Sequence, residues 1–279
     1  MNIHFSDAVV INKGTYGTIY KAKFRGSSCA VKEISSEHND IFRNETEVAC
    51  LLRDTKGSVK VYKSFSYQNK GYMLMEFIES TLLEYCMDTP LLSESEKTAA
   101  ILFYHICKAV EELHDAGVAH LDLKLENILI REFNTLDSIR LCDFGSSMTF
   151  VKNRMEPVKE KIGSPIYAAP ELETSEKFYP PHADMWSLGV ILHLLLVKCF
   201  PVTEPTRYIS PATINWEHFK EAQVSTACWD LLKKLLKFNA KQRITIKEVL
   251  VHPWLMKYTG TTRSGCIGKV ENKLKHFKK

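Results

Sequence analysis

The spacing of hydrophobic and polar positions changes once along this chain, near residue 81. Before that point short apolar and β-branched runs dominate: Val9-Val10-Ile11, Thr18-Ile19-Tyr20, Cys29-Ala30-Val31, Val59 to Phe65 and Tyr72 to Phe77. Runs of this kind, bounded by turn residues, predict strands. The turns fall at Lys13 to Gly17 and at Gln68-Asn69-Lys70-Gly71. One segment differs: Ile41, Val48, Ala49 and Leu52 recur at helical spacing and predict a helix over 41–52. After residue 81 the helical period takes over. Ser93-Glu94-Ser95-Glu96 reads as a capping box that opens a long helix to about His114, closed by Gly117. Ser138 to Leu141 reads as a short strand, and a Leu-, Trp- and Lys-rich helical pattern covers 183–256. The pattern predicts a small β-rich lobe with one helix, followed by a larger, mostly helical lobe, with no linker that divides them into independent units.

Composition narrows this little. The 279 residues are 45 % hydrophobic and 25 % charged, ordinary for a globular protein with a sizeable core. The longest near-continuous apolar run, Leu188 to Val197, contains His193 and is too short for a bilayer, so no transmembrane segment is expected. The first ten residues lack the charged and apolar regions of a signal peptide, and an intracellular location, cytoplasmic or nuclear, is the default expectation. None of the 8 cysteines forms a C-x-x-C pair, so neither a disulfide framework nor structural zinc is expected. Charge is uneven: residues 257–279 hold seven Lys or Arg against Glu271, which leaves the rest of the chain at −2 of a total of +4. A basic tail is not a nucleic-acid-binding fold, and no nucleic-acid partner is expected.

Four constellations carry chemistry. The turn Ile11, Asn12, Lys13, Gly14, Thr15, Tyr16, Gly17, Thr18 and Ile19 sits between two strands. Its glycines would let backbone N–H groups approach phosphates, although taken alone it also suits an ordinary hairpin. Lys32 ends an apolar strand, where an acid on the next helix could hold its ammonium toward a phosphate. The stretch His120-Leu121-Asp122-Leu123-Lys124-Leu125-Glu126-Asn127 alternates polar groups with leucines that would make a poor surface. Asp143-Phe144-Gly145 then places a hard oxygen ligand suited to Mg²⁺ just after a strand.

In this order the pieces resemble the eukaryotic protein kinases over about residues 8–257, with a basic tail at 258–279. The family's glycine loop, strand lysine, catalytic loop, D-F-G and A-P-E read here as INKGTYGTI, CAVK, HLDLKLEN, DFG and AAPE. The segment Gly163 to Glu171, the run Asp184 to Gly189, Arg243 in KQRIT and His252-Pro253-Trp254 are similar to further family motifs. The resemblance implies an α+β, bilobal fold, with the N-lobe and hinge at 8–79 and the C-lobe at 80–257. It implies ATP and Mg²⁺ as cofactors and protein substrates as partners. Asp122 would accept or orient the substrate hydroxyl proton, and Lys124, a lysine of the serine/threonine branch, would neutralise the transferred phosphoryl. Asn127 and Asp143 would hold the metal, and Lys32 the α/β-phosphates. Glu45 is favoured over Glu47 as its partner because Phe42, Val48, Ala49 and Leu52 surround Glu45 at the family's apolar spacing. Met75 would be the gatekeeper, Glu76 to Ile78 would bond adenine through their backbone, and Ala30 and Leu129 complete the nucleotide contacts. Met73 and Met75 also suit a plain strand core.

Departures from the family pattern matter as much. Asn12 stands where the first loop glycine is usual, and Asn tolerates a left-handed backbone better than most residues. Leu121 replaces the arginine that pairs with a phosphate on the activation segment, here Asp143 to Glu171, so phosphorylation by that route is not expected to be required. Ser146, Ser147, Thr149 and Ser164 are candidate phosphorylation positions or plain polar loop residues. Cys142 either faces the nucleotide pocket or fills the core. In the tail Val270, Leu274 and Phe277 fall on one helical face among lysines, and either meet an acidic partner or membrane surface or fray in solvent. Two functions compete: an active Ser/Thr protein kinase and a pseudokinase scaffold. The A-P-E segment and Arg243 favour protein over small-molecule substrates. The short length is compatible with the pared-down kinases of large DNA viruses, for which the compartment would be the host cell's.

Overall fold

The computed structural model describes residues 6–88, 95–131, 139–158, 163–202, 214–217 and 224–260. The basic tail beyond Gly260, with Val270, Leu274 and Phe277, lies outside the described residues.

The N-lobe is a five-stranded antiparallel sheet in the order β1-β2-β3-β5-β4. Its strands are β1 (Ser6–Lys13), β2 (Gly17–Phe24), β3 (Ser27–Ile34), β4 (Val61–Tyr67) and β5 (Lys70–Glu76), with α1 (Asn39–Leu51) inserted after β3. The turn between β4 and β5 places Gln68 and Asn69 at positive φ, 47° and 60°. Two consecutive left-handed residues match the right-handed twist of a tight hairpin, and Asn is among the residues that accept them. Alternation along β3 sorts its side chains. Cys29 and Val31 join Ala22 and Leu74 in a small outer core, while Ala30 and Lys32 pair with Met75 and Met73 of β5 on the opposite, inward face. Helix α1 lies close over β5: a Cβ on Gly71 would sit 2.4 Å from the Phe42 ring.

The C-lobe begins with β6 (Ser80–Thr81) and α2 (Leu82–Asp88), followed by α3 (Glu96–Asp115) and β7 (Val118–Ala119). Helix α3 is capped by Ser95, whose hydroxyl accepts from Thr98 N at 3.2 Å. The expected box from Ser93 to Glu96 is therefore corrected: Glu96 is already helical, and Ser93 lies outside the described residues. The Glu96 carboxylate is instead engaged by Ser225 N at 2.8 Å and by Trp254 Nε1. Tertiary partners took the carboxylate that a local cap would have used. Gly117, at φ 76°, ends α3 in the left-handed turn that glycine favours.

Strands β8 (Ile128–Ile130) and β9 (Ile139–Leu141) pair beside β6. Farther along, β10 (Met148–Thr149) pairs with β7, and β11 (Glu156–Pro157) with β12 (Lys177–Phe178). The expected helical stretch 183–256 is not continuous. Its described parts are most of α5 (Pro180–Val197), then α6 (Thr226–Leu235), α7 (Ile246–Leu250) and α8 (Pro253–Thr259); a short α4 (Glu171–Thr174) precedes them. Helix α5 is apolar almost all round and is the buried axis of the lobe. Gly189 lets α6's end approach it, since a Cβ there would meet Leu236 at 2.7 Å. Among the described residues no helix is long and apolar enough to cross a membrane. The chain thus has a bilobal α+β fold, with a β-sheet N-lobe and a helical C-lobe.

Candidate active site

The site forms where the inward face of β3, helix α1, the loop 120–127 and the segment after β9 converge. Lys32 reaches inward from β3 and is buried. Its Nζ pairs with Glu45 Oε1 on α1 and with Asp143 Oδ1, the latter at 2.8 Å. Glu45, not Glu47, is the partner: Glu45 is buried, whereas Glu47 is exposed. Burial works against the charge on Lys32, but the carboxylates of Glu45 and Asp143 outweigh it and hold the ammonium above the ordinary lysine range. Glu45 is pushed up to about 7 by burial, with the Lys32 charge opposing. Asp143 is lowered: burial would raise it, but Lys32 more than compensates.

Asp122 is gripped at both carboxylate oxygens. Oδ2 accepts from Lys124 Nζ at 2.9 Å and from Asn127 Nδ2 at 3.1 Å. Oδ1 accepts from Ser164 N at 2.8 Å. Lys124 Nζ also donates to the Ser164 hydroxyl at 2.9 Å. The loop itself is suspended from Asp184 of α5, whose carboxylate accepts from the backbone N–H groups of His120, at 2.9 Å, and Leu121, at 2.8 Å. Leu121 (φ 63°) and Asp143 (φ 64°) both hold left-handed backbone, a strained choice for such residues. Gly163, at φ 79°, must be glycine because a Cβ would lie 2.4 Å from the Leu121 carbonyl oxygen. Leu121 is buried. Arg243 seals the end of the segment through a two-pronged contact with Glu171, 2.7 Å from Nη1 to Oε1 and 2.9 Å from Nη2 to Oε2.

The glycine loop lies between β1 and β2. Gly14 N donates to Gly17 O at 2.9 Å, and a Cβ on Gly17 would fall 1.9 Å from the Glu33 carbonyl oxygen. Asn12 sits in β1 opposite Ile19 and does not have positive φ, so left-handed tolerance is not what admits it there. Ile11 and Lys13 are exposed ends of β1, and Thr15, Tyr16 and Thr18 continue the turn into β2. Met75 is half-buried across from Ala30, and Leu129 lies in β8, half-buried. Ile78 is buried, and the Glu76 N–H donates to Lys60 O at 2.9 Å, which leaves its carbonyl as the backbone group that could meet adenine. Its side chain turns away to Arg131 and Lys60 N.

Two of the segment's hydroxyls are engaged. The Ser164 hydroxyl is held by Lys124. Ser147 is buried and donates to the His120 carbonyl at 3.1 Å. Ser146 is half-buried and Thr149 exposed. Cys142 is half-buried, and its thiol is pushed up to about 12, first by burial and then by the Asp143 charge.

The donor set suits a phosphate-bound metal. With Asn127 Nδ2 spent on Asp122, its amide oxygen is the atom left to ligate, and Asp143 offers a second oxygen donor from a half-exposed carboxylate. Among the described residues no cluster of three or more His, Cys, Asp or Glu side chains forms a self-sufficient metal cage. Mg²⁺ needs none, because it is commonly held by one or two protein oxygens together with substrate phosphates. Three residues of the site carry roles that sequence reasoning did not assign. Ser164 and Asp184 lay inside recognisable motifs, but only geometry shows what they hold. Asn44, discussed below, gave no signal at all.

A family profile for the protein kinase domain matches residues 5–255. Serine/threonine-protein kinase D2 of Rattus norvegicus is 29 % identical over 265 residues, covering 89 % of this chain and 29 % of that protein. Serine/threonine-protein kinase DCLK3 of Mus musculus is 29 % identical over 96 % of this chain and 35 % of its own length. NUAK family SNF1-like kinase 2 of Rattus norvegicus is 30 % identical over 91 % and 40 %. The chain therefore spans well under half the length of these relatives.

Proposed function

The chain belongs to the protein kinase family, among relatives that are eukaryotic serine/threonine kinases, and from that premise we propose that it is an active, Mg²⁺-dependent enzyme that transfers the γ-phosphoryl of ATP to serine or threonine hydroxyls of proteins. The observation that carries this reading is Asp122, held at both oxygens by Lys124, Asn127 and Ser164.

Phosphoryl transfer asks a protein for alignment and charge neutralisation more than for covalent chemistry. Lys32, kept charged by Glu45 and Asp143, binds the α- and β-phosphates. The loop from Gly14 to Gly17 covers them with backbone N–H groups. Asp143 and the Asn127 amide oxygen would hold Mg²⁺, which neutralises phosphate charge when bound. Asp122 orients the attacking hydroxyl and takes its proton. Lys124, 2.9 Å from Asp122, offsets the charge of the transferred group.

The same reading extends to regulation. Where the family pattern has a phosphate-grasping arginine, Leu121 is buried and uncharged. We infer that the segment reaches its working form without phosphorylation by that route. The β7–β10 and β11–β12 pairs, which tie the segment to the lobe by backbone bonds, support this.

The deciding experiment is a peptide-array assay with Mg²⁺-ATP comparing wild type with Asp122→Asn. A signal on serine or threonine peptides that falls at least about 100-fold in the variant is expected. No Asp122-dependent signal on any substrate would leave a binding scaffold as the surviving function.

A further inference from the structure

Asn44 precedes Glu45 on α1, and its side chain meets the segment that follows Asp143. Its Nδ2 lies 2.9 Å from the Ser147 carbonyl oxygen, 3.3 Å from that of Phe144 and 3.4 Å from that of Gly145. Three acceptors around one atom admit only the donor end of the amide, so the orientation of the side chain is settled by its surroundings. We propose that Asn44 is a positioning residue: a neutral amide latch that locks α1 to the start of the activation segment and so sets the Lys32–Glu45–Asp143 alignment. The proposal rests on the reading of the protein as a phosphotransferase.

The mechanical logic is local. One turn of α1 grips two things, the strand lysine through Glu45 and the segment through Asn44, so α1 cannot swing away without breaking both. The approach is close enough that a Cβ on Gly145 would lie 2.9 Å from Glu45 Oε1. The contact also reaches the catalytic loop, because the Ser147 hydroxyl donates to the His120 carbonyl at 3.1 Å. With Leu121 unable to hold a phosphate, a fixed uncharged contact can do this job permanently. That makes the aligned state constitutive instead of switched.

The test uses the full chain with Asn44→Asp, which keeps the size but turns a carboxylate oxygen toward the three carbonyls, and Asn44→Leu, which removes the polar group. Losing one to two neutral hydrogen bonds should lower kcat about tenfold, with the KM for ATP changed much less. Amide hydrogen exchange, measured in an Asp122→Asn background, should rise in residues 39–51 and 143–149 and stay unchanged in α5. Wild-type kcat in both variants, or exchange that is unaltered or raised evenly along the chain, would overturn the latch. An inactive wild type would sink the phosphotransferase reading instead, while the exchange arm would still decide on Asn44.

Discussion

The Ser164 hydroxyl lies 2.9 Å from Lys124 Nζ, and its backbone N–H lies 2.8 Å from Asp122 Oδ1. One residue of the segment from Gly163 to Glu171 thus touches both members of the proposed catalytic pair, Asp122 and Lys124. Ser164→Ala keeps the backbone bond and loses the hydroxyl, so kcat is expected to fall several-fold to about tenfold, the worth of one charge-assisted hydrogen bond. Ser164→Thr, which retains the hydroxyl, should stay near wild type. Steady-state kinetics on a general protein substrate checks both, and a Ser164→Ala enzyme at full rate would remove Ser164 from the site.

Glu45 supplies a pH signature. Its carboxyl sits at about 7, raised by burial, so it gains a proton as pH falls through that value. Lys32 then keeps only Asp143 as a charged partner. Accordingly, kcat/KM should decline on the acid side of about 7. Glu45→Gln should lower the plateau and abolish this limb, because no titrating group remains at the position. A pH–rate profile of the two proteins reads the difference.

Leu121 leads to a test of regulation. Protein treated with a phosphatase, and shown by mass spectrometry to carry no phosphate between residues 143 and 171, should keep its activity. Phosphate on Ser147 or Ser164 is not expected, since one is buried and the other is held by Lys124. Phosphatase treatment that silences the enzyme would refute the phosphate-independent reading.

Arg243 and Glu171 form a buried pair. Removing one member leaves the other charge without its partner in a low-dielectric setting, a loss of about 3–5 kcal/mol. Arg243→Ala should therefore lower the thermal midpoint by many degrees. The double change Arg243→Met with Glu171→Leu should recover part of the loss, because no orphaned charge remains. Calorimetry or thermal unfolding decides this, and a single variant as stable as wild type would contradict it.

Much of this molecule was legible in its sequence because the relevant forces are local. Short apolar runs on either side of a turn specify β4 and β5, and helical spacing from residue 183 specifies most of α5. The order of Lys32, Asp122, Asn127 and Asp143 carries the resemblance to the protein kinases from which the proposed chemistry follows. What sequence could not decide depends on contacts between residues far apart in the chain. Ser95 caps α3, and Glu96 is drawn to Ser225 and Trp254. The Glu76 N–H is consumed by Lys60. Asn44 meets carbonyls 100 or more residues away. A side-chain amide carries no pattern that announces such partners; only folding brings the two segments to within hydrogen-bonding distance. The sequence by itself determined the fold class and named the candidate reactive groups, and the tertiary structure decided which neighbours hold them in place.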